Sequence, residues 1–163
     1  MKAISVKQPW AWAIVHGAKT IENRTQMWNY RGPLAIAASK TWSNEGFADS
    51  RVREAFAARH PELVGVEAED KVRELFPQGV IIGVVDLIDC HVADGASCCA
   101  PWGDQRGGVF SSARAITHLV LQHPRPLPKP VPVRGALQLW TVPESAVSAV
   151  TGQLPQSALS GRR

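Results

Sequence analysis

The sequence predicts an α+β domain, a small closed sheet of about five or six short strands with two to four flanking helices. Three observations carry that expectation. Short apolar runs of strand composition recur along the chain, the clearest from Val80 to Cys90, with β-branched residues at 80, 81, 82, 84, 85 and 88. Helical spacing is confined to an early segment, one insert and the C-terminal end, without the alternating strand–helix register of a doubly wound fold. A length of 163 residues, with 45% hydrophobic and 20% charged residues, suits one domain with a core of its own.

The elements follow in order. Ala3 to Val6 reads as a first strand stopping at Gln8-Pro9, and Trp10 to His16 as a helix with two apolar sides that ends at Gly17. Lys19 to Arg24 is polar, a strand start or a loop. Arg31-Gly32-Pro33 turns the chain into a buried strand over Leu34 to Ala38. Residues 44–60 form one amphipathic helix capped by Asn44 and ended by His60-Pro61, and a second helix runs from Glu67 to Leu75. Val80 to Cys90 is the central strand, and residues 91–108 form a flexible Gly-rich loop. Ala115 to Gln122 is a further strand. The prolines at 124, 126, 128, 130 and 132 then exclude helix and fit an extended connection or an edge strand. Leu137 to Trp140 closes the sheet, and Glu144 to Val150 forms a short helix. One domain thus spans 1–151, with a helical acidic insert at about 44–76. Residues 152–163 contain no core residues and are expected to be a disordered tail.

Charge is unevenly spread. Residues 1–40 carry six Lys/Arg and one acidic residue, 41–90 carry five and ten, and 91–163 carry seven and three, within a net charge of +4. Two basic flanks enclose an acidic insert, and flanks that meet in space make a positive face attractive to phosphates. Scattered solvated charge is the competing reading. Three cysteines give no disulfide framework, and neither a signal-peptide core nor a membrane-spanning run is visible, so a cytoplasmic location is expected.

The densest chemistry lies in Gly17-Ala18-Lys19-Thr20-Ile21-Glu22-Asn23-Arg24. An extended segment points Lys19 and Glu22 to opposite faces, whereas a turn lets Lys19, Glu22 and Arg24 converge to grip a phosphate or base edge. A surface salt-bridge cluster is the plain alternative. Together with Val6-x-Gln8-Pro9-Trp10-Ala11, this Gly-x-Lys-x-x-Glu-x-Arg pattern resembles the ASCH (activating signal cointegrator homology) family. Arg31 to Ala38, Gly83 to Cys90 and Val133 to Trp140 resemble later strands of that family, so the likeness covers most of residues 3 to 142. It most resembles the ASCH domain of the eukaryotic transcription coactivator.

The resemblance implies a PUA-like β-barrel with a cleft suited to RNA, DNA or modified nucleosides. Some bacterial members are amidohydrolases acting on N4-acetylcytidine, with a threonine nucleophile three residues after the motif lysine. That position here is Glu22, and Thr20 occupies a different slot, which counts against that mechanism. The expected nucleic-acid-binding residues are Lys7, Gln8, Trp10, Lys19, Glu22, Arg24, Arg31, Ser39, Lys40 and Arg134. In a rival reading as a nucleoside hydrolase or ribonuclease, Lys19 and Glu22 are the acid–base pair, with Asp86 in support. A third reading makes the acidic insert a contact for a protein partner.

Of six tryptophans, Trp12 and Trp140 read as structural, and Trp10, Trp28 and Trp42 as cleft candidates. Asp86, inside an apolar strand, needs a partner, with Lys19 or Arg24 expected to supply it and a backbone amide as the alternative. Cys90-His91 and Cys98-Cys99 lack a C-x-x-C partner pair, and adjacent residues rarely share one ion, so neither a metal nor a cofactor is expected. Gly103 to Gly108 lacks the lysine of a phosphate loop, and Ser111, Ser112 and His118 mark no hydrolase triad.

Overall fold

The computed structural model describes residues 1–63, 69–95, 97–105 and 115–155. Six strands, β1 (Lys2–Gln8), β2 (Ile21–Arg24), β3 (Gly32–Trp42), β4 (Val80–Val92), β5 (Thr117–Pro132) and β6 (Leu139–Thr141), form one mixed sheet in the order β2-β5-β4-β3-β1-β6. Among the described residues only β1 and β3 pair in parallel. That pairing needs a crossover, which helix α1 (Trp10–His16) and β2 provide. Backbone hydrogen bonds leave the sheet open at β2 and β6 rather than closed as expected. A side chain spans the gap instead: Arg24 in β2 donates to the Ser5 carbonyl of β1 at 2.8 Å, giving a barrel-like curl.

Alternation along the strands loads both faces of the sheet. In β3, Leu34, Ile36 and Ala38 join one core with Ala11, Ile14 and Val15 of α1. Ala35 and Ala37 face the other core, with Trp140 of β6 and with Ala146 and Val150 of helix α5 (Glu144–Thr151). The two apolar sides read in α1 have separate destinations. Its back, Trp12 and Ala13, meets a third cluster with Val52, Val72 and Phe76 of the insert. There Trp12 lies edge-on to Phe56 and Phe76, which stack on each other with centroids 5.1 Å apart.

Several expectations need correction. The insert helix is broken: α2 (Asn44–Ala48) is capped by Ser43 rather than Asn44, and α3 (Ser50–Arg59) restarts at Asp49, whose carboxylate accepts from the Arg51 and Val52 amides. A 3-10 turn at Pro61–Leu63 and helix α4 (Glu69–Glu74) follow, while the predicted helix start at 67–68 lies outside the described residues. The proline-rich stretch continues β5 without interruption. Since β2 covers only Thr117 to Val120, the prolines occupy the half of β5 with β4 as its one strand neighbour. The chain also stays packed past residue 151. Leu154 is buried in the second core, and Gln153 bonds both the amide and the carbonyl of Lys129. Residues 156–163, the rest of the expected tail, lie outside the described residues.

Two predictions follow from this packing. At Gly83 of β4, an added Cβ would sit 2.7 Å from Val15 Cγ1 of α1 and 3.0 Å from the Arg125 carbonyl. Gly83→Ala should therefore cost about 1–3 kcal/mol of unfolding free energy in urea titrations. Leu154→Ala should cost about 2–5 kcal/mol by the same measurement, whereas a residue in a disordered tail would leave the midpoint unchanged.

Candidate functional site

The site begins where α1 stops. A Cβ at Gly17 would crowd the Ala13 Cα at 3.0 Å and the Trp12 ring at 3.1 Å, so glycine lets the chain leave the helix close to its last turn. Ala18 then adopts φ +58°, and the Lys19 amide returns to the Ala13 carbonyl at 3.0 Å. This turn, rather than an extended run, makes the charged trio converge. Lys19 Nζ donates to the Ile21 carbonyl and to Glu22 Oε2 at 3.2 Å, and Glu22 Oε1 forms an ion pair with Arg24 at 3.0 Å. Lys19 is only 5% exposed. Burial pushes its amine below the usual lysine range, and the Glu22 carboxylate pulls in the opposite direction.

Two indoles flank this ammonium. Lys19 Nζ lies 5.5 Å from the Trp10 ring centroid and 6.0 Å from that of Trp102. Trp10 donates its ring N–H to Ser43 Oγ at 3.1 Å and packs so closely on Gly46 that a Cβ there would come within 2.9 Å. Trp102 belongs to the 97–105 loop, which polar anchors hold in place. Asn23 Nδ2 donates to the Trp102 carbonyl at 3.0 Å, and its Oδ1 accepts from the Asp104 amide at 2.9 Å. Arg51 covers the Trp102 ring at 4.2 Å, bonds the Pro101 carbonyl, and is held by Asp49 Oδ1 at 3.0 Å. Hydrogen bonding by Arg51 holds the Asp49 carboxyl below the usual carboxylate range.

Between these walls lies a cavity of about 440 Å³. Its charged lining is mixed, with Glu22, Glu45, Asp49 and Asp104 outnumbering Lys19 and Arg51. The expectation of one basic hollow is therefore corrected. Lys40 and Arg134 line a separate depression of about 880 Å³ together with Ser39, whose hydroxyl lies 2.8 Å from Thr41 Oγ1. Gln8 is fully buried and structural, donating to the Pro77 carbonyl and accepting from the Trp12 amide. Lys7 is exposed on β1, and Arg31 bonds the Trp28 and Tyr30 carbonyls with Asp89 nearby at 3.3 Å. Trp28 packs on the first core and Trp42 on the aromatic cluster, so of the three candidate indoles only Trp10 lines this cavity. Asp86 pairs with Arg125 and His123, not with Lys19 or Arg24, and the Arg125 bond holds its carboxyl below the usual range.

Sequence reasoning missed Trp102, Asn23 and Arg51. The available signal was a tryptophan between proline and glycine in an otherwise small and polar loop. It also missed a cluster beside that loop, where His91, Cys98, Cys99 and His118 bring their ligand atoms within 4.8 Å of one another. The sequence reading sets this pair aside because adjacent residues rarely share one ion, yet here, with Cys99 at φ +58°, both thiols lie 3.4 Å from His91 Nε2. A bond from the Asp94 amide, then one with His91, draws the Cys98 thiol down to about 7, whereas burial pushes that of Cys99 up.

Known proteins fit this picture. Human and mouse proteins named Activating signal cointegrator 1 are 27% and 26% identical to this chain over 138 residues, covering 84% of it. The chain spans only 21% of the length of either relative. A crystal structure of ASCH from Zymomonas mobilis superposes with a TM-score of 0.56 at 14% identity, covering 93% of both chains, which establishes likeness of fold. The family model for the ASCH domain matches residues 4–111, from β1 through β4 and the 97–105 loop and including Lys19, Glu22 and Arg24, and the chain belongs to the ASCH domain family.

Proposed function

We propose that the chain is a nucleic-acid-binding module whose cavity takes an unstacked nucleobase. The observation that carries this reading is that two indoles, Trp10 and Trp102, line a cavity of about 440 Å³ together with the buried ammonium they flank. That size falls within the roughly 300–1,000 Å³ of small-molecule sites. Aromatic faces accept any base, and polar groups beside them read its edge. Lys19 supplies a donor, and the Glu22 carboxylate keeps acceptor capacity beyond its bonds to Lys19 and Arg24. A base edge presenting both a carbonyl and an amino group matches that pair.

The mixed charge of the lining argues against a polyphosphate inside the cavity. Phosphates of a flanking strand fall instead to the exposed cations outside it, among them Lys7, Lys40 and Arg134. Membership of the ASCH domain family supports this reading. A second reading, a hydrolase of a modified nucleoside, is favoured by one observation: burial drives the Lys19 amine toward its neutral form beside Glu22, as a proton-transferring group requires.

Titrating the chain with single-stranded RNA and DNA oligomers and with free nucleosides at low salt, followed by tryptophan fluorescence, tests the binding reading. Trp102→Ala or Trp10→Ala should weaken binding by about 5- to 150-fold, equivalent to ~1–3 kcal/mol per stacked base. Log affinity should fall with log salt at about −0.7 per phosphate contacted on a single strand. Absence of binding to every probe at low salt would sink the proposal. Incubation with N4-acetylcytidine separates the second reading, which requires turnover that disappears in Lys19→Met.

A further inference from the structure

We propose that His91, Cys98, Cys99 and His118 form a zinc site that fastens the 97–105 loop to the sheet. His91 and His118 are cross-strand partners in β4 and β5, with ring centroids 5.6 Å apart. The two thiols come from the loop lying over them. Cys98 Sγ lies 3.4 Å from His91 Nε2 and 3.5 Å from His118 Nδ1, and Cys99 Sγ lies 3.4 Å from His91 Nε2. For a tetrahedral ion with Zn–S of ~2.3 Å and Zn–N of ~2.0–2.1 Å, the sulfur-to-nitrogen edge is ~3.5–3.6 Å. Three of the six edges of the tetrahedron match this spacing, and all four ligand atoms lie within 4.8 Å of one another.

The outer nitrogens supply an independent observation. His91 Nδ1 lies 2.7 Å from Asp89 Oδ2, and His118 Nε2 lies 3.1 Å from the Asp104 carbonyl. Each acceptor holds a proton on the outer nitrogen, so that the inner nitrogen presents its lone pair to the thiols. Carboxylate and carbonyl partners of this kind orient metal-bound histidines. Thiol-to-imidazole hydrogen bonds account for the cluster less fully. Two S–H groups can serve two nitrogens, one each, but the third sulfur-to-nitrogen approach then has no proton. A divalent cation satisfies all four ligands at once, and its uptake releases the two thiol protons to solvent.

The donor set selects the ion, because two thiolates and two imidazoles in a tetrahedron suit zinc better than calcium or magnesium. The site is built into the fold around it. His118 is fully buried, and a Cβ at Gly103 would meet its ring at 2.8 Å and Cys99 Cβ at 2.9 Å, so the loop closes directly over the ligands. Gln105 donates to the Cys98 carbonyl, linking the ligand turn to the stretch that carries Trp102.

The test uses the full chain, reduced and stripped with a chelator, then titrated with Zn(II) under reductant and, separately, with Co(II). One Zn(II) per chain should bind, with a rise in melting temperature, and Co(II) should give the visible absorption of a tetrahedral thiolate site. A Cys98→Ser, Cys99→Ser double variant, folded by circular dichroism, should lose both responses. Asp89→Asn alters a half-buried residue that bonds the outer nitrogen of His91 and is not one of the four ligands, and should weaken zinc affinity by about 10- to 100-fold. Failure of the reduced chain to take up zinc, or uptake unchanged in the double variant, overturns the proposal. These readouts contain no nucleic acid and stand apart from the base-binding reading.

Discussion

The structure depends on the burial of α1 on two sides. A seven-residue helix is too short to persist on its own propensity. It persists here because Ile14 and Val15 enter the sheet core while Trp12 anchors the insert through Phe56 and Phe76. Gly83 lets the helix lie almost on the backbone of β4. The helix in turn fixes two things at its ends: the indole of Trp10 at the start, and the turn that delivers Lys19 just beyond the finish. Position in the cavity is thus inherited from core packing, which is more rigid than any loop-borne arrangement.

Placing an ammonium in such a position carries a desolvation cost, and its surroundings show how it is met. Lys19 has a carboxylate, a backbone carbonyl and two aromatic faces as neighbours, and Glu22 is shared with Arg24. A buried pair of this kind is weak evidence of added stability, because desolvation offsets much of the attraction. A fold needing only stability would be served as well by apolar residues. Lys19 and Glu22 both line the cavity, so the pair presents polar atoms to it.

What was legible in the sequence was what local signals encode. The Gly17 stop, the alternation through β3 and the β-branched run of β4 are all written within a few residues of where they act. The turn expected at Arg31 to Pro33 instead gives way to strand, Gly32 and Pro33 already pairing with Leu87 and Asp86 of β4. The break at Asp49 was hidden because a capping carboxylate inside an otherwise helical stretch looks like any exposed acidic residue. The edge-strand reading of the prolines was legible, whereas their continuity with Thr117 to Gln122 in one strand was not, because proline forbids ladder bonds on one side only. The cavity was hidden for a different reason. Asn23 meets residues 79 and 81 positions away, and Arg51 meets Pro101 across 50, so the loop wall is defined by contacts without local signature. The grouping of charge misled for the same reason: Lys40 and Arg134 share a hollow with each other but not with Lys19.

The 97–105 loop shows why polar anchoring replaces apolar packing at the site. Its residues are small, cyclic or polar apart from Trp102, so it cannot hold itself by burying a hydrophobic stripe. It is tied instead at three points: Asn23 of β2 bonds it through both amide atoms, Arg51 of α3 holds the Pro101 carbonyl and the Trp102 ring, and His118 of β5 bonds the Asp104 carbonyl. Each tie comes from a different element, and the Cys98–Cys99 turn over His91 adds a fourth region of contact. Such ties are directional, unlike hydrophobic contacts, and losing one leaves a polar group needing a new partner. A wall built this way holds the Trp102 indole at the edge of the cavity without an apolar stripe beneath it, where a wall packed by apolar side chains would tend to close the space.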